Sequence, residues 1–367
     1  MSSILDRVQN LIDKSGLSLD DFAQRAGLEA LQLSGALTGA RSFSVVDLAC
    51  IADAFDVSVD WLLTGTEPPL AVAARTSTRE AAEALAAARR YSTLRADLDM
   101  LGYPQPWRTI PAVPHSGTYA AQGERLAHEA LKLVAREGRS VTAGNLADLI
   151  EETFGADVAV VELGAGFDGL AAMTEGVKLI LLAATSNPAR QRFTLAHELG
   201  HLLFGDDQDI HLDRDIFDKA QKRDPSEQRA NAFASAFLMP EEVLREAVRS
   251  TGLTRDSHAA MACDLMVTPT ALAYRLLHLR LIDAGTCDRY KGTTASEAAH
   301  TAGRSEEFEQ RAAASREPRL PGLLVRDSRA AYEAGKSTLR PYAALLGADV
   351  DELRNELEPD QDTGGAS

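Results

Sequence analysis

Arg192-Phe193-Thr194-Leu195-Ala196-His197-Glu198-Leu199-Gly200-His201-Leu202-Leu203-Phe204-Gly205 carries two histidines four residues apart with a glutamate between them. On a helix, positions i and i+4 share a face, so both imidazoles can reach one tetrahedral Zn²⁺, and Glu198 beside them suits a proton acceptor for water activated there. Helix signals bracket the run: Ser186 or Asn187 can cap it, Pro188 suits its first turn, and Gly205 can end it. Leu195, Leu199, Leu202 and Leu203 form the stripe expected to face the core, with His197, Glu198 and His201 on the other side. A catalytic zinc takes a third protein ligand and keeps one position open. A metzincin continuation is excluded, because Phe204 and Asp207 stand where its glycine and third histidine belong. His211 and Glu227 then compete. His211 falls in the aspartate-rich run 206–218, which reads as a solvated loop, whereas Glu227 opens a second helical run, 227–240, with Ala230, Phe233, Ala234 and Phe237 toward the core. Asn231, one turn from Glu227, is placed to hydrogen-bond a ligand from behind.

Two motifs in this order, Arg192 to His201 and Glu227-x-x-Ala230-Asn231-x-Phe233-Ala234 running into Leu238-Met239-Pro240, give residues 155–240 a resemblance to the ImmA/IrrE family of zinc metallopeptidases. The resemblance implies metal ligands at His197, His201 and Glu227 and a general acid/base at Glu198. It also implies a gluzincin-like metallopeptidase that cleaves a peptide bond in a regulatory protein, typically a DNA-binding repressor, as part of a stress response.

Composition bounds the remaining function classes. The chain has 367 residues, 45% of them hydrophobic, enough for two or three domains with real cores. A net charge of −16 argues against a broad hold on nucleic acid or anionic membrane. Cys50, Cys263 and Cys287 are far apart in sequence, which excludes a cysteine zinc ribbon and fits free thiols in a reducing cytoplasm. The first residues lack a basic region followed by an apolar stretch, and no apolar run is long enough to span a bilayer, so a cytoplasmic protein without a membrane partner is expected.

Residues 1–65 read as five short helices, with Ser18 and Ser44 as caps and glycine turns between them, the pattern of a helix-turn-helix. The segment, with its closing Asp60-Trp61-Leu62-Leu63-Thr64-Gly65, resembles the Cro/CI-like (XRE) family of DNA-binding domains. By that resemblance 29–37 is the recognition helix, with Gln32, Ser34 and Thr38 reaching base edges or phosphates and Arg41 a phosphate. Four basic residues against nine acidic ones run the other way, and an interaction domain that does not bind DNA is the competing reading.

The fold expected is α+β, mainly α with a small β-sheet, in successive parts. Residues 1–67 form the all-α helix-turn-helix domain. Residues 68–117 are an exposed helical connector with a proline-rich extended linker. Residues 118–283 form the zincin-like peptidase domain, with strands near 158–161, 170–173 and 179–182. Residues 284–317, rich in small and polar side chains, are a flexible linker; 318–357 form a separate small helical module; and 358–367 are a disordered tail. The combined reading is a cytoplasmic DNA-binding regulator, able to form a homodimer, that carries a zinc endopeptidase. The alternative is a DNA-binding regulator whose peptidase-like domain is a non-catalytic sensor or interaction domain.

Overall fold

The computed structural model describes residues 4–39, 41, 43–55, 57, 62, 79–162, 168–174, 176–205, 210–213 and 224–357. The chain divides into two compact units, Met1–Ala71 and Val72–Ser367.

In the first unit, α1 (Ile4–Ser15), α2 (Leu19–Arg25), α3 (Ala30–Leu37) and α4 (Val45–Ala54) follow the expected helices closely. Ser18 caps α2, and a reciprocal Ser44–Asp47 capping box starts α4. Val8, Phe22, Leu33, Ile51 and Leu62 form their shared core. The expected fifth helix falls outside the described residues apart from Leu62.

In the second unit, α5 (Arg79–Met100), α6 (Tyr119–Arg136) and α7 (Leu146–Phe154) lead into β1 (Asp157–Val161), β2 (Gly169–Thr174) and β3 (Val177–Ala183). Next come α8 (Pro188–Phe204), β4 (Ile210–Asp213), α9 (Pro225–Leu238), α10 (Glu241–Thr251), α11 (Arg255–Leu265) and α12 (Pro269–His278). The chain continues through α13 (Ala284–Tyr290), α14 (Ala295–Thr301), α15 (Ser305–Ala314), α16 (Gly322–Glu333), α17 (Leu339–Leu346) and α18 (Val350–Leu357). The sheet order is β1-β3-β2-β4, with β1 parallel to β3 and the other neighbours antiparallel. Alternate strand residues such as Val158, Ile180 and Ala171 join Leu195, Leu199, Phe233 and Phe237 in one core, so α8 lies between the sheet and α9.

Four expectations change. The run 206–218 is not all loop, since Ile210–Asp213 pairs with β2 as a fourth strand. Residues 284–317 are not a flexible linker: α13 is capped by Asp283, α14 by a Thr294–Glu297 capping box, and Cys287, Ala298, Ala299 and Ala312 are buried. Nor is α5 an exposed connector. Arg95 is 0% exposed, its Nε and Nη2 donate to both carboxylate oxygens of Asp157 on β1, and its Nη1 donates to Asp327 on α16 at 2.7 Å. Burial pushes the Asp157 carboxyl up to about 6, and the Arg95 guanidinium opposes that shift. The same ion triad removes the expected boundary before residue 318. Residues 318–357 belong to the unit that holds the sheet, tied further by the backbone bridge between Val160 and Arg319 and by the Arg319–Glu151 ion pair. The proline-rich 103–114 is extended as expected but held down: the Arg108 amide donates to Phe154 O at 2.8 Å, and Trp107, Ile110 and Val113 lie on the core.

Candidate metal centre

Helix α8 begins as its sequence dictates. The Asn187 side chain accepts from the Arg190 amide, Pro188 occupies the first turn, and Gly205 ends the helix at φ 66°. Asp168, just before β2, takes a bidentate hydrogen bond from Arg190 and so ties that strand to the first turn of α8. The helix is buried all round from Thr194 to Leu202, so the histidine face, opposite the leucine stripe, is covered as well. What covers it is α9. Asp224 caps that helix, Pro225 starts it, and Glu227 in its first turn is brought against the two histidines.

His197 Nε2 and His201 Nε2 stand 3.0 Å apart. Glu227 Oε2 is 3.4 Å from the first and Glu227 Oε1 is 3.3 Å from the second. All three side chains are buried, and among the described residues they form the cluster of potential ligands able to hold a metal ion. A tetrahedral ion with ligands at about 2.0–2.2 Å has edges of about 3.3–3.6 Å, close to these separations. Two imidazoles and a carboxylate are a donor set that suits zinc and leaves a fourth position. The residues therefore fit a metal of this kind. His211 lies on β4 opposite Ala171, and its side chain is outside the described residues. Asn231 is half-buried one turn beyond Glu227 on α9.

Glu198 is 0% exposed and points toward β2. A Cβ at Gly169 would stand 2.9 Å from Glu198 Oε1 and 2.5 Å from Thr194 Cγ2. The first residue of β2 must therefore be glycine for the strand to run beside the carboxylate. The strand expected at 170–173 stopped one residue short of it. Its signal was available, since a glycine opening an apolar strand marks a close backbone approach.

In the first unit, Gln32 and Thr38 are exposed and Ser34 is half-buried. Thr38 Oγ1 donates to Ser34 O, which closes the end of α3. Arg41 is engaged within the unit: its Nε donates to Gln32 O at 2.9 Å and its Nη2 pairs with Asp47 at 2.9 Å. Leu31, on the same helix, is 88% exposed.

Residues 152–277 match the IrrE N-terminal-like domain. The chain is similar to the radiation response metalloprotease IrrE of Deinococcus radiodurans, 38% identical over 102 residues, which cover 27% of this chain and 30% of that protein. It is also similar to the radiation response metalloprotease IrrE of Deinococcus deserti, 35% identical over 99 residues, 27% of this chain and 35% of that protein. The chain thus spans about a third of the length of these curated relatives. The segment holding α8 and α9 is the part of the chain that matches the IrrE N-terminal-like domain, and its cluster of His197, His201 and Glu227 supports a metalloprotease. Among the described residues, no helix is long and apolar enough to cross a membrane.

Proposed function

We propose that this protein is a DNA-binding regulator carrying a zinc-dependent endopeptidase of the HExxH, gluzincin-like kind, which cuts another regulatory protein, a DNA-binding repressor by preference. The observation that carries the reading is the convergence of His197 Nε2, His201 Nε2 and the Glu227 carboxylate at 3.0–3.4 Å, with Glu198 buried on the adjacent helix position. Those three residues would hold Zn²⁺, which supplies Lewis acidity toward a scissile carbonyl and toward water. Glu198, beside Gly169 at the start of β2, takes the proton from the attacking water and delivers it to the leaving amine. Burial keeps competing solvent from that carboxylate. Asn231 steadies the Glu227 side of the ligand set. In the N-terminal unit, Gln32, Ser34 and Thr38 on and after α3 meet DNA; Arg41 supports them by holding the end of that helix, and a phosphate contact would compete with its Asp47 pair.

Glu198→Gln preserves size and the three ligands while removing the proton acceptor. The expected result is about one zinc per chain by elemental analysis, as in the wild type, with cleavage of a co-expressed regulator, followed by mass spectrometry, reduced about a hundredfold or more. Wild-type cleavage by that variant would overturn the assignment of the base. Glu227→Ala should lose the zinc itself.

A further inference from the structure

A cavity of about 470 Å³ opens on the far end of α8 from its second histidine, between the starts of α7 and α8, the end of α11, and α14 and α15. Leu195, Val267, Ala298 and Phe308 contribute to an apolar wall. The charged lining is uneven: Arg192, Arg304, Arg311 and Arg319 against Asp148 and Glu317. Three of those arginines have carboxylate partners within the fold, Arg304 with Asp264, Arg311 with Glu307, and Arg319 with Asp148 and Glu151.

Arg192 differs from them. One nitrogen, Nη2, donates to Val141 O at 2.8 Å, while Nε is shielded from solvent and has no hydrogen-bond partner. Desolvation by burial, and then the like charge of Arg311, lower its pKa to about 10, so it stays cationic at neutral pH. A guanidinium largely withdrawn from water and without an anion is electrostatically unfavourable. Its planar fork is matched by a carboxylate or a phosphate. Apolar walls around one such polar anchor are the ordinary make-up of a small-molecule site, and the volume lies in the usual range.

We propose that this cavity binds a small molecule with an anionic head, carboxylate or phosphate monoester, and an apolar body, the head on Arg192 with Arg311 behind it and the body along Leu195, Val267 and Phe308. The occupant would touch the first two turns of the helix that carries His197, and the segment after α15 that Gln191 holds through Ser315 O at 3.0 Å. Binding to α8 is therefore a route by which a metabolite could steady or disturb the metal centre, a consequence that rests on the peptidase reading, whereas the site itself does not.

Isothermal titration of the full chain with decanoate, decyl phosphate, 1-decanol and inorganic phosphate tests the site. Decanoate or decyl phosphate should saturate at one per chain, the tighter of the two identifying the head group. Decanol and inorganic phosphate should bind about tenfold or more weakly, since each lacks half of the recognised chemistry. Arg192→Gln should weaken the tighter anion about tenfold or more, and Ala298→Phe, in the cavity lining, should block it by filling the cavity. Ala298→Phe keeps the test decisive if Arg192→Gln fails to fold. The site is refuted if neither anion saturates, if decanol binds as tightly as the anions, or if the folded variants bind as wild type does. No peptidase activity enters the readout, so an inactive protease that binds decanoate and an active one that does not are told apart.

Discussion

At the scale of single residues, the candidate metal centre is set by donor chemistry and the placing of Glu198, the proposed base, by a missing side chain. His197, His201 and Glu198 were legible because their spacing on a helix leaves few other purposes for that residue set. Glu227 needed a second motif, since no local pattern says which distant carboxylate closes the ligand shell. Gly169 was passed over because its role is a contact, Thr194 and Glu198 across the sheet, that no spacing along the chain encodes. Gly169→Ala tests how tightly the base is held. The added methyl would sit 2.5 Å from Thr194 Cγ2 and 2.9 Å from Glu198 Oε1, so both side chains must shift, the carboxylate most easily as the far end of a flexible side chain. The expected result is a loss of about 1–3 kcal/mol in stability, near-normal zinc content and a fall in kcat of about ten- to a hundredfold from misplacement of the proton acceptor. A variant with unchanged kcat in a steady-state peptide assay would mean that Glu198 has freedom the close approach of β2 denies it.

At the scale of elements, long amphipathic runs were read well and alanine-rich ones were not. Helices α8 and α9 and three strands stand where the sequence pattern puts them. By contrast α5 buries Ala84, Leu85, Ala88, Tyr91, Arg95 and Leu98, and α14 buries Ala298 and Ala299, so their inner faces carry little of the hydrophobic signal that marks a core helix. An arginine on the inner face of α5 inverted the expected reading altogether. The crossing of α6 and α9 is the element contact on which the metal centre depends most, because α9 brings Glu227. At Gly123 on α6 a Cβ would meet Arg229 O at 2.3 Å and Phe233 N at 2.9 Å, both backbone atoms of α9. Alanine is favoured over glycine in a helix by about 1 kcal/mol, but forcing two helices apart costs about 1–3 kcal/mol or more, so overpacking wins. Gly123→Ala should lower the thermal midpoint and weaken zinc retention during dialysis against a chelator. A raised midpoint with full zinc retention would show that α9 can move without disturbing Glu227.

At the scale of the whole chain, the question is whether the proposed peptidase acts on other proteins or on its own tether. A helix-turn-helix fused to a protease raises the protease concentration near promoter-bound substrates. An exposed proline-rich linker would instead be an easy substrate itself, because extended, unpaired backbone is what a protease cleft accepts. Up to Arg108 the described part of that stretch is anchored to the fold, although Pro104, Pro106, Thr109, Pro111 and Ala112 are exposed. Arg95 locks α5 to Asp157 and Asp327, the Tyr103 hydroxyl donates to Ala330 O, Gln105 Nε2 donates to Asp157 and to Lys178 O, and the Arg108 amide donates to Phe154 O. Cutting between 79 and 108 would first require those contacts to open, and breaking a buried ion pair alone costs about 3–5 kcal/mol, a factor of roughly a hundred or more in the accessible population. The purified chain incubated with zinc should therefore stay intact by whole-protein mass spectrometry, wild type and Glu198→Gln alike, while a co-incubated regulator is cut by the wild type only. Release of an N-terminal fragment by the wild type alone, at a rate independent of protein concentration, would replace delivery in trans with intramolecular release of the N-terminal unit.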